Sequence, residues 1–429
     1  MKVLWWLLAI ASVALIGTGA LVLAFAWFPA IAPIATPRPE AFHRAVVVRG
    51  ESLAMIGNCE TCHTAKGGQP YAGGLPLQTP FGTIHSTNIT PDPDTGIGRW
   101  SRLAFRRAMY NGVSRDGHLL YPAFPYNHFT RANLYDLDAL YAYFMTRAPV
   151  ASRPPANRLR EPYGFRPLIG AWNLLYLNRG TLPPVPTESA EWNRGRELVE
   201  GLAHCGSCHT PRDGRGGERR RVAYDGAWVD GWYAPPLNSR SPAVQAWTYE
   251  RLFTYLSTGL SPAHAAAAGP MGTVTRQLAQ APEYEVRAIA AYVAWLLEEA
   301  PAARAGKDAP VIDRHETADR DHPEAAVLFA GACAICHAPG APMMQEGRPP
   351  LAWGTPLHVA TPHDTVRIIL EGLSPPAGPY SPSMPAFGDM LSDRHIADLA
   401  AYLRARFTDK PAWPDALRAT EQARQGATP

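Results

Sequence analysis

The chain opens on its most apolar stretch. From Val3 to Phe28 there is no charged residue. Wound as a helix, that stretch would be about 39 Å long, against a bilayer hydrocarbon core of about 30 Å. The apolar centre of a cleaved leader is only about 7 to 15 residues. Trp5, Trp6, Trp27 and Phe28 place aromatics near both ends, as membrane interfaces favour. The pattern predicts a retained transmembrane helix within residues 1–30 rather than a leader that is removed.

Beyond a proline-rich neck, Ala30 to Pro39, the apolar positions fall into helical spacing three times. Leu134, Leu137, Leu140, Tyr141 and Phe144 form one such face. Val286, Ile289, Val293 and Leu296 form a second, and Ile396, Leu399 and Leu403 a third. Recurrence at three to four residues is the signature of an amphipathic helix. Each of these helices contains alanine, tyrosine and an apolar residue in succession, at Ala142-Tyr143-Phe144, Ala291-Tyr292-Val293 and Ala401-Tyr402-Leu403. Such a repeat divides the chain into units at 41–147, 187–300 and 323–408. Between the first two, residues 148–186 are rich in proline and arginine and include Trp172-Asn173-Leu174-Leu175-Tyr176. That is too aromatic for a free tether, so the connector is expected to pack on a domain or on a partner. Residues 301–322 read as a flexible linker, and the polar tail 409–429 is expected to lie on the surface.

Composition adds little beyond this. A chain of 429 residues has room for about three domains. A net charge of +3 with 18% charged residues gives no field strong enough to suggest nucleic acid, and Arg219-Arg220-Arg221 reads as a solvated loop. The 43 prolines and 36 glycines predict extensive loops. Asp92-Pro93-Asp94-Thr95-Gly96 lacks the closing glutamate of a calcium loop and reads as a turn.

The chemistry lies in the six cysteines, all used in three copies of Cys-x-x-Cys-His: Cys59 to His63, Cys205 to His209 and Cys333 to His337. This is the attachment signal for c-type haem. Each thiol adds to one vinyl group, and the adjacent histidine ligates the iron. Cys59, Cys62, Cys205, Cys208, Cys333 and Cys336 are therefore expected to carry three covalently bound haem c groups. His63, His209 and His337 are the expected proximal ligands. A structural zinc site would need two thiol pairs close together, whereas the first cysteines stand at 59, 205 and 333. A thioredoxin-like or disulfide reading has no use for the histidine.

The closing tyrosines give a register for the sixth iron ligand. Met384 lies 18 residues before Tyr402, and Met271 lies 21 before Tyr292. Both neighbour proline or glycine, read as loop positions, and would complete a His/Met iron. Met390, Met343 and Met344 are the rivals of Met384. In the first unit the same register falls on Pro122-Ala123-Phe124-Pro125, where no side chain can ligate iron. His128 is the expected substitute, with Met109, His118 or an open iron as alternatives.

Helix, haem motif, long loop and closing helix resemble the plan of class I cytochrome c domains. The expected fold is mainly α, with three such domains in tandem behind one N-terminal transmembrane helix. Over nearly its whole length the chain also resembles the three-haem cytochrome c subunits of membrane-bound periplasmic dehydrogenases. The resemblance is carried by Tyr71-Ala72-Gly73-Gly74, Thr79-Pro80-Phe81-Gly82-Thr83-Ile84, Ser86-Thr87-Asn88-Ile89-Thr90-Pro91-Asp92 and Leu120-Tyr121-Pro122-Ala123. It implies a subunit that takes electrons from a catalytic partner and passes them to ubiquinone.

Two branches of that family are distinguished. One serves quinoprotein alcohol dehydrogenases and flavin-dependent gluconate-type dehydrogenases, typically with methionine where Phe124 stands. The other serves molybdopterin hydroxylases of aldehydes or N-heterocycles. Pro122 to Thr130, Gly269-Pro270-Met271 and the ending Ala405 to Trp413 are similar to the second. That branch implies a molybdopterin subunit and a small [2Fe–2S] subunit as partners, with ubiquinone and the lipid bilayer. It also implies a bacterial inner-membrane location with the haem domains on the periplasmic side. The chain is read as an electron-transfer subunit rather than a catalyst, with quinone reduction at a haem left open. A haem peroxidase would need an open iron, which Met271, Met384 and His128 would close, and a terminal-oxidase subunit would depend on a partner for its oxygen-reducing metals.

Overall fold

The computed structural model describes residues 2–341, 349–373 and 383–426, and within the first helix the side chains at 4–13 and 15–19. The chain forms two compact units. The first is Met1–Pro184 with Glu200–His204 and Gly214–Gly217; the second is Val185–Val199, Cys205–Asp213 and Glu218–Pro429.

In the first unit, α1 (Lys2–Ala26) is helical, and its described side chains, Trp5, Trp6 and Leu15 among them, are uncharged and exposed. Among the described residues no helix is long and apolar enough to cross a membrane. The expected element is thus matched as a helix but not as a membrane span. The proline-rich neck is stitched to the domain behind it, with Ile31 N–H donating to Arg115 O at 2.8 Å and Ile34 N–H to Arg99 O at 3.1 Å.

Helix α2 (Arg44–Ile56) leads into the short α3 (Cys59–His63). A hairpin follows, β1 (Pro76–Thr79) and β2 (Gly82–His85), then α4 (Arg102–Asn111), α5 (Tyr126–Phe129) and the closing α6 (Leu134–Met145). Asn133 starts α6 by accepting from Asp136 N–H at 2.9 Å, one of the orphan donors of a helix N-terminus. Helices α2 and α6 pack so closely at Gly50 that a Cβ there would stand 1.9 Å from Ala139 O. Beside it Arg49 pairs with the buried Asp136.

The connector packs on this domain. Strand β3 (Arg158–Leu159) adds to the hairpin in the order β1-β2-β3. Helix α7 (Pro167–Tyr176) lies beside α1. It buries Ile169 against Val113, Leu119 and Phe28, and its Asn173 accepts from Tyr126 O–H at 2.7 Å. The Asp92 stretch forms a turn in which Asp92 Oδ1 accepts from Thr95 N–H at 2.7 Å.

The second unit repeats the plan twice. Helix α8 (Ala190–Glu200) and α9 (Gly206–His209) precede a hairpin of β4 (Ala227–Val229) and β5 (Trp232–Ala234). Then come α10 (Tyr249–Thr258), the two-residue strands β6 (Leu260–Ser261) and β7 (Ala265–Ala266), α11 (Gly269–Leu278) and the closing α12 (Glu283–Leu296). The helix crossing of the first domain returns residue for residue. A Cβ on Gly195 would stand 1.9 Å from Ala288 O, and Arg194 Nε donates to Glu285 Oε2 at 2.8 Å.

Residues 301–322 differ from the flexible linker expected. They contain α13 (Pro301–Ala305) and α14 (His315–Asp321). Between these, the fully buried Gln245 clasps the backbone of Ala309, donating to its O at 3.0 Å and accepting from its N–H at 3.2 Å. A side-chain amide can satisfy both groups of one peptide in this way.

The third domain runs through α15 (Pro323–Ala332), α16 (Ala334–His337), α17 (His363–Glu371) and α18 (Asp393–Phe407). Phe329, Val366, Ile396, Tyr402 and Phe407 form its core. The tail also departs from expectation, because α19 (Ala416–Arg424) packs on α17 and α18. Its small residues Ala416, Ala419 and Thr420 let it approach closely and are buried. Trp413 is buried under the Arg404 guanidinium at 4.1 Å, a cation–π contact that a count of polar residues does not reveal.

Candidate functional site

The first two Cys-x-x-Cys-His motifs are built alike, from the backbone outward. Each lies on a single helical turn that ends at its histidine. The threonine after the histidine, Thr64 or Thr210, accepts at Oγ1 from the backbone N–H of a tyrosine, Tyr71 or Tyr224, at 3.1 Å in both cases. Both tyrosines take positive φ, 62° and 60°. Two residues later Gly73 N–H or Gly226 N–H donates back to the histidine carbonyl, at 2.7 and 2.8 Å. Gly73 is required there, since a Cβ would stand 2.5 Å from the Thr87 carbonyl carbon.

The hairpins β1–β2 and β4–β5 follow at once, and their return puts a carbonyl against each histidine. His63 Nδ1 meets Thr87 O, and His209 Nδ1 meets Pro235 O, both at 2.7 Å. A carbonyl can only accept, so Nδ1 carries the proton and Nε2 keeps its lone pair. Burial also pushes both imidazoles below their ordinary pKa, so they are neutral at pH 7. A neutral ring with Nδ1–H tied to a carbonyl is the form that ligates a metal through Nε2.

Among the described residues the six cysteines form no disulfide. Burial, with Cys62 adding a smaller effect, pushes Cys59 up to about 12; burial and Cys336 push Cys333 up to about 11. A thioredoxin-type pair depends on a lowered thiol pKa, which neither Cys59 nor Cys333 has. Paired thiols on one turn beside a neutral, oriented histidine fit covalent haem.

The distal side has a register of its own. Helices α4, α10 and α17 each end on a glycine of positive φ: Gly112 at 63°, Gly259 at 75° and Gly372 at 70°. Twelve residues after each stand Phe124, Met271 and Met384 (112 to 124, 259 to 271, 372 to 384). The three positions therefore share one spacing from the preceding helix cap, besides a similar distance from the closing tyrosine. Met384 exchanges backbone hydrogen bonds with Leu373 and is half-buried. Met271, read from sequence as a loop residue, instead sits in the first turn of α11 behind Pro270, where proline is well tolerated.

His128 is buried at the end of α5, and its Nδ1 donates to Glu200 O at 3.0 Å. Of the alternatives, Met109 is buried on α4, and His118 Nδ1 meets Asp116 Oδ1 at 2.6 Å. Met390 is 65% exposed. Met343 and Met344 lie outside the described residues. Sequence reasoning missed Thr64, Tyr71, Thr87, Thr210, Tyr224 and Pro235. The repeated Tyr-x-Gly ahead of each hairpin was the signal that could have found them.

Paired cysteines on one turn, oriented proximal imidazoles and a repeated helix crossing define a c-type cytochrome. A family model described as cytochrome c oxidase, cbb3-type, subunit III matches residues 320–403. The chain is similar to a nicotinate dehydrogenase subunit of Pseudomonas putida, 46% identical over 98% of this chain and 35% of that protein. It is similar to the fructose dehydrogenase cytochrome subunit of Gluconobacter japonicus, 34% identical over 91% of this chain and 85% of that one. The gluconate 2-dehydrogenase cytochrome c subunit of Pantoea cypripedii is 35% identical, over 90% and 89%. The chain thus spans about a third of the first relative (35%) and most of the other two. It belongs to the family of cytochrome c subunits of dehydrogenases, electron-transfer proteins with covalently bound haem c.

Proposed function

We propose that this chain is a tri-haem electron relay serving a periplasmic dehydrogenase that holds molybdopterin and [2Fe–2S] in partner subunits and oxidises an aldehyde or N-heterocycle. The observation that carries the relay is the repeated proximal site, in which Thr87 O and Pro235 O orient His63 and His209 beside their thiol pairs. Haem c, when bound, supplies one-electron iron chemistry. The chain's own residues fix its place and surroundings. Cys59 and Cys62, Cys205 and Cys208, and Cys333 and Cys336 would hold the three groups. His63, His209 and His337 would ligate on one side, with Met271, Met384 and His128 on the other. With both sides of each iron so held, the chain would move electrons and bind no substrate there.

The 46% identity to the nicotinate dehydrogenase subunit favours the N-heterocycle branch. The fructose and gluconate dehydrogenase subunits keep the sugar and alcohol branch as the second reading. The oxidase family model covers the third domain alone, so an oxidase subunit is the weaker reading. The apolar helix Lys2–Ala26 would anchor the relay in the inner membrane beside ubiquinone, with the haem domains in the periplasm.

Purification of the native complex from membranes tests this reading. Molybdenum and a [2Fe–2S] subunit co-purifying with the chain support it. A flavin or quinoprotein partner instead moves the chain to the other branch, and recovery in the soluble fraction removes the anchor.

A further inference from the structure

The two hairpins that orient the proximal histidines are held from outside in different ways. In the first domain, β2 is covered by β3: Gly82 pairs with Leu159, and Asn157 Oδ1 accepts from His85 N–H at 2.9 Å. In the second domain, β4–β5 is a two-stranded sheet. Its outer grip comes from the third domain, through α17. Asp364 Oδ1 accepts from Tyr233 N–H at 2.8 Å. Arg367 Nη1 donates to Asp230 O at 2.6 Å, and its guanidinium lies 4.8 Å from the centre of the Trp232 ring. His363 meets Trp228 edge to face at 4.9 Å.

What α17 grips reaches both His209 and the turn of Met271, the residues that would hold the second haem. Two residues beyond Tyr233 is Pro235, whose carbonyl holds His209 at 2.7 Å. On the other side Trp232 backs onto Gly269, where a Cβ would stand 2.4 Å from the indole. Gly269 begins α11, two residues before Met271.

We propose that α17 is a positioning element for the second haem, with Asp364 and Arg367 of the third domain fixing the hairpin that sets both His209 and Met271. A proximal imidazole aimed by a rigid carbonyl keeps its ring orientation and basicity, and both set the iron's potential. The grip also makes the second haem sensitive to whether the third domain is docked. Asp364 is buried, and burial pushes it up to about 6 against the smaller opposing effects of the Tyr233 N–H and Arg367, so it is ionised at neutral pH.

The inference rests on the haem reading above. Fewer than three haems per chain would sink that reading and leave the hairpin geometry as it stands. The test uses the full haem-loaded chain, with ferric electron paramagnetic resonance and a spectroelectrochemical titration. The second haem is the signal missing when Cys205 and Cys208 are both serine. Asp364→Ala and Arg367→Ala are expected to change the g values of that haem alone. They should also move its reduction equilibrium about three- to tenfold, up to ~59 mV for one electron. Asp364→Asn keeps an acceptor for the Tyr233 N–H and should keep the g values. Equal potential shifts in Asp364→Ala and Asp364→Asn with unchanged g values would reduce the effect to through-space charge and overturn the proposal. So would equal changes in all three haems.

Discussion

Gly195 lies directly beneath the carbonyl of Ala288, so that a Cβ on it would stand 1.9 Å from the oxygen and 3.0 Å from Tyr292 Cβ. Gly50 repeats the relationship with Ala139 and Tyr143, at 1.9 and 2.7 Å. Opening and closing helices of the first two domains cross there at backbone contact. Gly195→Ala or Gly50→Ala must push the two helices apart. Overpacking of this kind costs about 1–3 kcal/mol, more when backbone has to move. Thermal unfolding of the haem-loaded chain should show the loss, while Gly331→Ala on α15, with nothing within 4 Å, should be nearly silent.

Beside that crossing, Arg194 donates to both oxygens of Glu285, at 2.8 and 2.9 Å, and the Glu285 side chain is 2% exposed. Arg194→Met strands a buried carboxylate. Breaking one partner of such a pair costs about 3–5 kcal/mol, whereas replacing both by apolar groups costs much less. A double-mutant cycle with Glu285→Leu, followed by denaturant unfolding, should therefore give a strongly non-additive pair.

Asp364 predicts a pH dependence. Its pKa rises from 3.8 unfolded to about 6 folded, chiefly through burial, with the Tyr233 N–H and Arg367 opposing the rise. A folded pKa above the unfolded one means that the folded state holds the proton more tightly. Its favourable contribution is present below about pH 4 and is lost as pH rises through about 6, a change of ~3 kcal/mol at most. Asp364→Asn should gain stability relative to the parent chain over that window. A difference that stayed flat, or ran the other way, would contradict the burial argument.

The distal register makes a spectroscopic prediction. Met271→Ala and Met384→Ala should each remove part of the weak far-red absorption of methionine-ligated ferric haem, and the double variant should abolish it. His128→Ala should leave that absorption unchanged and turn the first haem high-spin. A low-spin first haem in that variant would return the site to Met109 or His118.

Much of this was legible in the residues. The motifs, the closing helices and the placing of Phe124, Met271 and Met384 in one register follow from short-range spacing. The glycine caps at 112, 259 and 372 support that register independently. What was not legible depends on backbone groups and on distant pairs. Thr87 and Pro235 act through carbonyls, which carry no side-chain signature. Gln245 holds a peptide 64 residues away, and Asp364 one 131 residues away. The tail read as polar, yet Trp413 and three small residues of α19 suffice to dock it. Pro270 suggested a loop at Met271, although proline also suits the first turn of a helix.

Covalent haem at all three motifs is the claim on which the rest stands, and the intact mass of the denatured chain tests it most directly. The account predicts a mass above the bare polypeptide by three haems, with the colour staying on the protein through acid–acetone extraction. A mass equal to the amino acids alone, or an excess of fewer than three haems, would contradict it.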